Sequence, residues 1–538
     1  MAILDRAAGR LKGIFDTIQT DRRQTEILWR DMSILVDPSR STEEIEQRGR
    51  DRSLSTYDNT ATLASSRLAA LMFGNLTNPS LEWMMVQQSG GDETRDGFEW
   101  LQTATQFALK VFRSPKSGFN SAINEAFSDI ATFGTASMFI SGEDLIRFKA
   151  LYLEELYFAT NHFGEIDTVI RRKLWTADQA AEKFGINNLT DSVKKIFGST
   201  KRYVDRREYL HFVMPRIDVE MDNELNIKIP NRFAFASIWI DNQEGKIVRA
   251  GGFRSYPYAT GRWKVASGET YGTSPGIEVV DEIRLANSMK KTVIISASKA
   301  ANLPLVVNDD SVIGSVRVLP GGITYISPGN DIKGLPVGDP NISDVQLERI
   351  QNSIGEAYFN DLDRLPDNDR MTATEVLQRR QDRLIALAPF VTRVQEELLG
   401  PIIERTLKLG IEMGDLEEPP PELSGGNVEI EYISPLAISQ RSSRIQAFQI
   451  WVNAMLPLLQ IDQSMVASIK TENVPAFLAD GLNVPFELVR DAQEVAQKKG
   501  EMEQLAQLQQ AAQLGGQLAD TAKTAAEAGE VAGRIGVA

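Results

Sequence analysis

The stretch from Ser274 to Gly414 constrains this chain most, because three helix starts follow one another in it. A long glycine- and proline-rich insert separates the first two, and a short charged loop separates the last two. The first helix opens at Ser274-Pro275, a hydroxyl able to cap, followed by proline at the first helical position. Apolar side chains then recur at Val279, Ile283, Ala286, Met289, Val293, Ala297 and Ala300, the three-and-four spacing of one helix face. Such a rod, over 275–302, is about 42 Å long. The second helix starts at Ser343, with Gln346 completing a capping box, and carries Leu347, Ile350, Ile354, Ala357 and Leu362. The third starts at Thr372, with Glu375 in the same relation, and runs to Met413 along Val376, Leu384, Leu387, Val391, Val394, Leu398 and Ile402. Pro389 and Pro401 lie inside it and each removes a backbone donor, which predicts kinks. The pattern is a helical pair, 274–302 and 343–362, with the insert at one end and the loop 363–371 at the other. A plainer alternative is a large helical domain with one long loop.

Before this axis the chain reads as an α+β body over 1–273, so the fold class is α+β, mainly α. Residues 1–36 form an amphipathic helix ended by Asp37-Pro38, and 39–55 a polar connector. A helix from Asp58 or Asn59 to Phe73 is stopped by Gly74-Asn75; a strand begins near Trp83–Val86; helices follow near 93–113 and 117–133. From Thr135 to Val265 the texture changes to β-like runs, Ser137–Ile140, Ile166–Arg172, Glu208–Pro215, Ala234–Ile240 and Ile247–Phe253. A helix at Thr176–Phe184 interrupts them, and residues 241–245 form a hairpin loop. The insert 303–342 is too long for a bare connector and has strand-like runs at 305–307, 315–319 and 323–326, which predicts a small β subdomain. After Met413 come an acidic, proline-rich joint, a strand at 428–433, and helices at 436–460, 462–470 and 485–512. The tail from Gln513 is rich in Ala, Gly and Gln and has little to bury, so it orders only against copies of itself.

A chain of 538 residues is expected to hold more than one domain. It has no cysteine, which excludes disulfides and cysteine-held zinc or iron–sulfur centres. The first thirty residues scatter charges among apolar positions and lack a signal peptide's apolar core. The longest uncharged span, Ile445–Ile461, is short and contains Gln446, Gln449, Asn453, Pro457 and Gln460, so no membrane crossing is expected. The net charge of −15 argues against a tight grip on nucleic acid through many phosphate contacts.

Catalytic options are few. There are two histidines, His162 and His211, both beside aromatics, and no Walker A loop. Structural roles are expected for both. Asp361, Asp363, Asp367 and Asp369 invite a calcium reading, but Leu365 and Pro366 occupy the loop positions that need an oxygen ligand and glycine. No cofactor or metal is expected. The loop 363–371 carries Arg364, Asn368 and Arg370, and the first helix carries Arg284 and Lys291, seven apart on one face, with Lys290 and Lys299 nearby. These are either solvated surface or a sparse set of cations facing DNA.

Several ordered motifs carry a family resemblance. They are Asp37-Pro38, Tyr57-Asp58-Asn59-Thr60-Ala61, Leu68-Ala69-Ala70, Gly74 through Ser80 with Trp83, and Tyr271-Gly272-Thr273-Ser274-Pro275-Gly276. Met371 through Val376, Leu398-Leu399-Gly400-Pro401 and Tyr432 through Ala437 follow in the same order. In them the chain resembles the portal (head-to-tail connector) proteins of short-tailed, T7-like bacteriophages.

The resemblance implies a ring, usually of about twelve subunits, around a channel at one vertex of the capsid. Double-stranded DNA would be packaged and ejected through it without sequence readout. The family's parts map as wing (1–273), stem (274–302 and 343–362), clip (303–342) and tunnel loop (363–371). The kinked helix with wing return (372–435), the crown (436–500) and a C-terminal barrel or tail (501–538) complete the map. Implied partners are further copies of the chain, the terminase large subunit, tail adaptor and tail tube proteins, and the major capsid and scaffolding proteins. The implied location is the virion's portal vertex, and the host cytoplasm during assembly, with no catalysis by the chain itself. Arg364, Asn368, Arg370, Lys290, Lys291 and Lys299 are then the candidate DNA neighbours. The rival readings are a soluble hydrolase with a helical lid and a non-portal internal scaffold of the virion.

Overall fold

The N-terminal amphipathic run forms one helix, α1 (Ala2–Leu35), whose two halves serve two different cores. Ala7, Ala8, Leu11 and Phe15 pack with Tyr157, Ile170, Leu210 and Phe212, while Trp29, Met32 and Leu35 enter the main core. Between the halves Arg22 is buried, its guanidinium 3.6 Å from the centroid of the Tyr157 ring. It donates to the carbonyls of Leu153, Glu154 and Leu156 and pairs with Glu26, so the desolvated cation is fully engaged. The computed structural model describes residues 2–38, 56–89, 95–222, 224–225, 227–301, 305–306, 333–334, 340–360, 387–423, 428–433 and 447–455, with single positions at 474, 478 and 498. The chain divides into two compact units, Met1–Ser434 and Pro435–Ala538. In the second, residues 447–455 are helical, with the rings of Phe448 and Trp451 5.9 Å apart. The connector 39–55, most of the expected clip, the loop 363–371 with the start of the third helix, and most of the expected crown and tail lie outside the described residues.

Helix α2 (Thr60–Leu76) runs past the stop expected at Gly74-Asn75. Asn75 donates its side-chain amide back to the Leu71 carbonyl (2.8 Å), and Leu76 is buried in the main core, so burial overrides the local breakers. Strand β1 (Met84–Gln88) pairs antiparallel with the last strand of the unit, Val428–Tyr432, and α3 (Arg95–Arg113) and α4 (Phe119–Phe133) follow it. Eight further strands come next: β2 (Thr135–Gly142), β3 (Ile146–Leu151), β4 (Leu156–Thr160), β5 (Ile166–Thr176), β6 (Arg206–Pro215), β7 (Phe235–Asp241), β8 (Lys246–Phe253) and β9 (Tyr258–Arg262). They form two antiparallel sheets ordered β3-β2-β9 and β4-β5-β6-β7-β8. Three of the eight, β3, β4 and β9, were not expected, nor were the short helices α6 (Asp191–Phe197) and α7 (Arg216–Met221). The expected helix after β5 is α5 (Ala177–Phe184), with a full capping box between Thr176 and Gln179. One face of the large sheet (Leu210, Phe212, Ile238, Ile240) meets α1, and the other end-face (Trp175, Tyr209, Trp239) is covered by α5 and α6.

The motif Tyr271–Gly276 is the joint from which the helical pair leaves this body. The Tyr271 ring stands edge-on to Trp29, centroids 5.2 Å apart, and its hydroxyl accepts from the Phe158 N–H. Gly272 N–H donates to the Thr135 hydroxyl (2.8 Å), and a Cβ on Gly272 would run into the carbonyl oxygen of Gly134. Gly134, with φ of 79°, leaves α4 in the left-handed region and lies against the backbone of Thr273 and Ser274. Ser274 accepts from the Ile277 N–H as an N-cap and donates to the Thr132 carbonyl.

The first helix of the pair is not continuous. A single turn, α8 (Pro275–Glu278), ends at Val279, and α9 (Val280–Ala301) continues beyond it. The β-branched run Ile277, Val279, Val280 resists helix at the place where the cap has already fixed the first turn. In the insert, β10 (Leu305–Val306) and β11 (Lys333–Gly334) pair antiparallel; the runs 315–319 and 323–326 lie outside the described residues. Helix α10 (Pro340–Ala357) begins at Pro340 rather than Ser343, because proline's fixed φ suits the first helical position. It ends before Phe359, whose φ of 58° breaks the helical path.

The third helix is described from residue 387, and the kink expected at Pro401 takes the form of a π turn, Gln395–Leu399, before α11 (Gly400–Met413). Pro401 has no N–H for the Glu397 carbonyl, and the ladder slips by one residue so that Gly400 N–H bonds the Gln395 carbonyl. The Tyr432 hydroxyl also donates to that carbonyl (2.9 Å). Glu397 is held in a fork by buried Arg262 of β9 (2.9 and 2.8 Å), which further donates to the carbonyls of Gly164 and Thr270. Gly414 closes α11 in the left-handed region, and β12 (Val428–Tyr432) completes the unit.

Replacing Gly272 by alanine is expected to destabilise the first unit by about 1–3 kcal/mol, because the obstacle is backbone that cannot rotate away. The check is the thermal midpoint of the variant beside that of Gly74→Ala, a position with open space around it.

Candidate channel and assembly surface

Helices α9 and α10 pack on each other and on the body through Ile283, Ala286, Leu347 and Ile354, with Tyr358 just beyond. A short segment between α1 and α2 ties both. Asn287 on α9 accepts from the Tyr57 and Asp58 N–H groups (2.6 and 3.3 Å), Gln351 on α10 donates to Asp58 (2.5 Å), and Asp58 also caps the Thr60 N–H (2.8 Å). Apolar side chains also stay exposed elsewhere on the pair. Leu285, Ile294, Ile295 and Val345 expose 48, 47, 43 and 55% of their surface, off the stripe that meets the body. The first three share no single face of α9, since Leu285 and Ile294 lie about half a turn apart in phase, and no periodicity in the sequence marks them out.

The six candidate DNA neighbours are only partly brought together. Lys290 and Lys291 lie side by side on α9, Lys290 half-buried and Lys291 exposed. Lys291 holds its ammonium 5.5 Å from the Tyr57 ring centroid, a cation–π contact that keeps it near the tethering segment. Lys299 is placed by its helical backbone, and Arg364, Asn368 and Arg370 lie outside the described residues. Arg284, which shares a face with Lys291 by spacing, pairs with Asp31 of α1 and with Asp281 (2.7 Å), a local role in holding α9 to α1.

The catalytic alternatives find little footing among the described residues. His211 Nε2 is 2.9 Å from the Ser237 hydroxyl, and Nδ1 is 3.3 Å from the Tyr258 hydroxyl. A tyrosine therefore stands where a triad would place a carboxylate, and the imidazole stacks on Trp239 at 4.0 Å, fully buried. Nearby, Glu155 pairs with Arg171 (3.2 Å) and with Lys173, whose ammonium burial, with Arg171 beside it, lowers to about 8. This is a polar network inside the body. The Asp361, Asp363, Asp367, Asp369 cluster lies outside the described residues, and none of the described His, Asp and Glu groups could hold a metal ion. No described helix is long and apolar enough to cross a membrane.

Burial, with Arg171, Lys183 and Arg249 around it, holds His211 well below the ordinary histidine value. The unfolded chain takes up that proton below about pH 6.5 and the folded chain does not. His211's contribution to stability is therefore present above that pH and lost as the pH falls. Thermal midpoints of wild type and His211→Gln, measured from pH 7.5 to 5, are expected to converge as the pH drops.

The described geometry is that of a tethered helix pair with exposed apolar side chains and few catalytic groups. The model of the bacteriophage head-to-tail connecting protein family matches residues 8–489. A probable portal protein of Bordetella phage BPP-1 is 26% identical over 532 residues, covering 96% of this chain and 94% of that protein. The portal protein of Salmonella phage epsilon15 is 26% identical over 528 residues, covering 95% and 94%. By the family match over most of its length, the chain belongs to the bacteriophage head-to-tail connecting proteins.

Proposed function

We propose that this chain is a phage portal protein whose copies close into a ring of about twelve around a channel at one capsid vertex. One observation carries the reading. Helices α9 and α10 pack one apolar stripe against their own body and leave Leu285, Ile294, Ile295 and Val345 exposed off it. Large apolar side chains spread around an exposed helix pair call for cover, and identical neighbours on either side supply it by a heterologous contact that closes. In this reading α9 and α10 are the stem, 303–342 the clip, 363–371 the tunnel loop, 1–273 with 372–435 the wing, 436–500 the crown and 501–538 the barrel or tail.

Double-stranded DNA passes through the ring in both directions, packaged into the head and later ejected. An acidic wall suits this, because it repels the duplex and keeps it centred, while rows of cations would stall it. Each residue recurs once per subunit, so Arg364, Asn368 and Arg370 in the loop and Lys290, Lys291 and Lys299 in the stem each become a ring of contacts. The clip docks the terminase large subunit during packaging and tail adaptor and tail tube proteins afterwards, and the wing meets capsid and scaffolding proteins. The chain is structural and needs no cofactor.

Negative-stain images of the purified chain are expected to show rings with a central hole, and Leu285→Asp combined with Ile294→Asp is expected to give folded single chains. Wild-type particles that are solid, or single at assembly concentrations, would overturn the reading. For the channel residues, Lys290→Glu with Lys291→Glu is expected to leave rings intact and lower the yield of DNA-filled heads. Normal filling in that variant would remove both lysines from the DNA path.

A further inference from the structure

Strands β5 and β6 face each other directly at Thr176 and Arg206, where a two-residue turn could join them. The chain instead inserts residues 177–205, a lobe whose Ala177, Ala180, Phe184, Leu189 and Val193 pack on Tyr209 and Trp239 of the sheet. Covering the sheet accounts for the lobe's inner face, and its outer surface calls for a separate account.

That surface is strongly polarised. From 194 to 207 the chain carries Lys194, Lys195, Lys201, Arg202, Arg206 and Arg207 against a single carboxylate, Asp205, in a protein of net charge −15. Along α6 the acidic Asp191 stands in the first turn, where Glu244 accepts from the Ser192 N–H (3.2 Å), and both lysines stand in the last. Large apolar side chains are interleaved with the cations. Tyr203 is 59% and Val204 74% exposed, and Ile186, in the turn before α6, is 50% exposed. Arg202 lies 4.4 Å from the Tyr203 ring centroid and 5.7 Å from that of Phe197, so guanidinium and rings form one continuous patch.

The cations alone would suit any polyanion, and the apolar side chains decide between the candidates. A DNA duplex offers phosphates on its outside and keeps its apolar base faces stacked within, so Tyr203, Val204 and Ile186 would gain little from it. An acidic protein segment with interleaved apolar side chains satisfies both halves of the patch, with charge setting the approach and aromatic burial the affinity. We propose that the 177–207 lobe docks an acidic amphipathic segment of another protein, its carboxylates on the Lys201–Arg202 cations and its apolar side chains on Tyr203 and Val204. The docking stands apart from ring closure and holds whether or not the α9–α10 pair assembles as proposed.

The test uses the full chain and three fluorescein-labelled probes of equal charge: an amphipathic peptide of glutamate and leucine, polyglutamate, and a blunt DNA duplex. The amphipathic peptide is expected to bind at least about tenfold more tightly than either control. Lys201→Glu with Arg202→Glu, and separately Tyr203→Ser with Val204→Ser, are each expected to weaken it by about tenfold or more. All four side chains are exposed or half-exposed, so an unchanged thermal midpoint checks that the variants fold. Equal binding of polyglutamate or duplex reduces the lobe to a general polyanion surface and overturns the proposal. Peptide binding that survives both double variants overturns it as well.

Discussion

Two backbones in van der Waals contact, Gly134 leaving α4 and Gly272 arriving from β9, set where the helical pair stands on the body. No side chain fits between them, so the approach is fixed by covalent geometry rather than by adjustable packing. Around that contact Ser274 caps α8 and bonds the Thr132 carbonyl, Trp263 N–H bonds the Gly134 carbonyl, and Tyr271 fills the space beside Trp29. The direction of α8, and through it of α9, follows from these few bonds. The proposed ring would need such a joint, because small errors per subunit accumulate around a closed ring.

The body and the helical pair differ in how they treat charge. Within the body two buried cations are individually compensated: Arg22 by three carbonyls and Glu26, and Arg262 by Glu397 and two carbonyls. These pairs connect distant segments, and breaking one would leave a desolvated charge behind. On the pair, by contrast, Lys291 is exposed and Lys290 half-buried, and water screens both. The polarised lobe after β5 is a third regime, with cations gathered beside exposed rings.

Much of the first unit was legible in the sequence, and the misses share physical causes. Ser274-Pro275 marked a helix start because hydroxyl and proline act through local geometry alone, and the structure has the cap where it was expected. The strands at 166–176, 206–215, 235–241 and 246–253 were legible from β-branched and aromatic runs. The strand Leu156–Thr160 is a short, continuous apolar run that periodicity cannot tell from buried helix, and Tyr258–Arg262 hides a fully buried strand behind Gly261, which lies under Leu398. The ends of α2 and α10 moved because burial of Leu76 and the preset φ of Pro340 outweighed the local signals at Gly74 and Ser343. Of the candidate site, the seven-residue spacing of Arg284 and Lys291 was legible, but their separate partners were not, since nothing in one sequence says that Arg284 pairs with Asp31 and Asp281 while Lys291 rests over the Tyr57 ring.

Helix α1 contributes side chains to two hydrophobic cores from a single uninterrupted rod, with a fully engaged Arg22 at its middle. Neither core can come apart while the rod stays seated in the other, because peeling half of it away would strip the guanidinium of its carbonyls and bare one apolar face. The large sheet and the main core are thereby coupled into one cooperative transition, so that partial melting of the body is penalised from both sides.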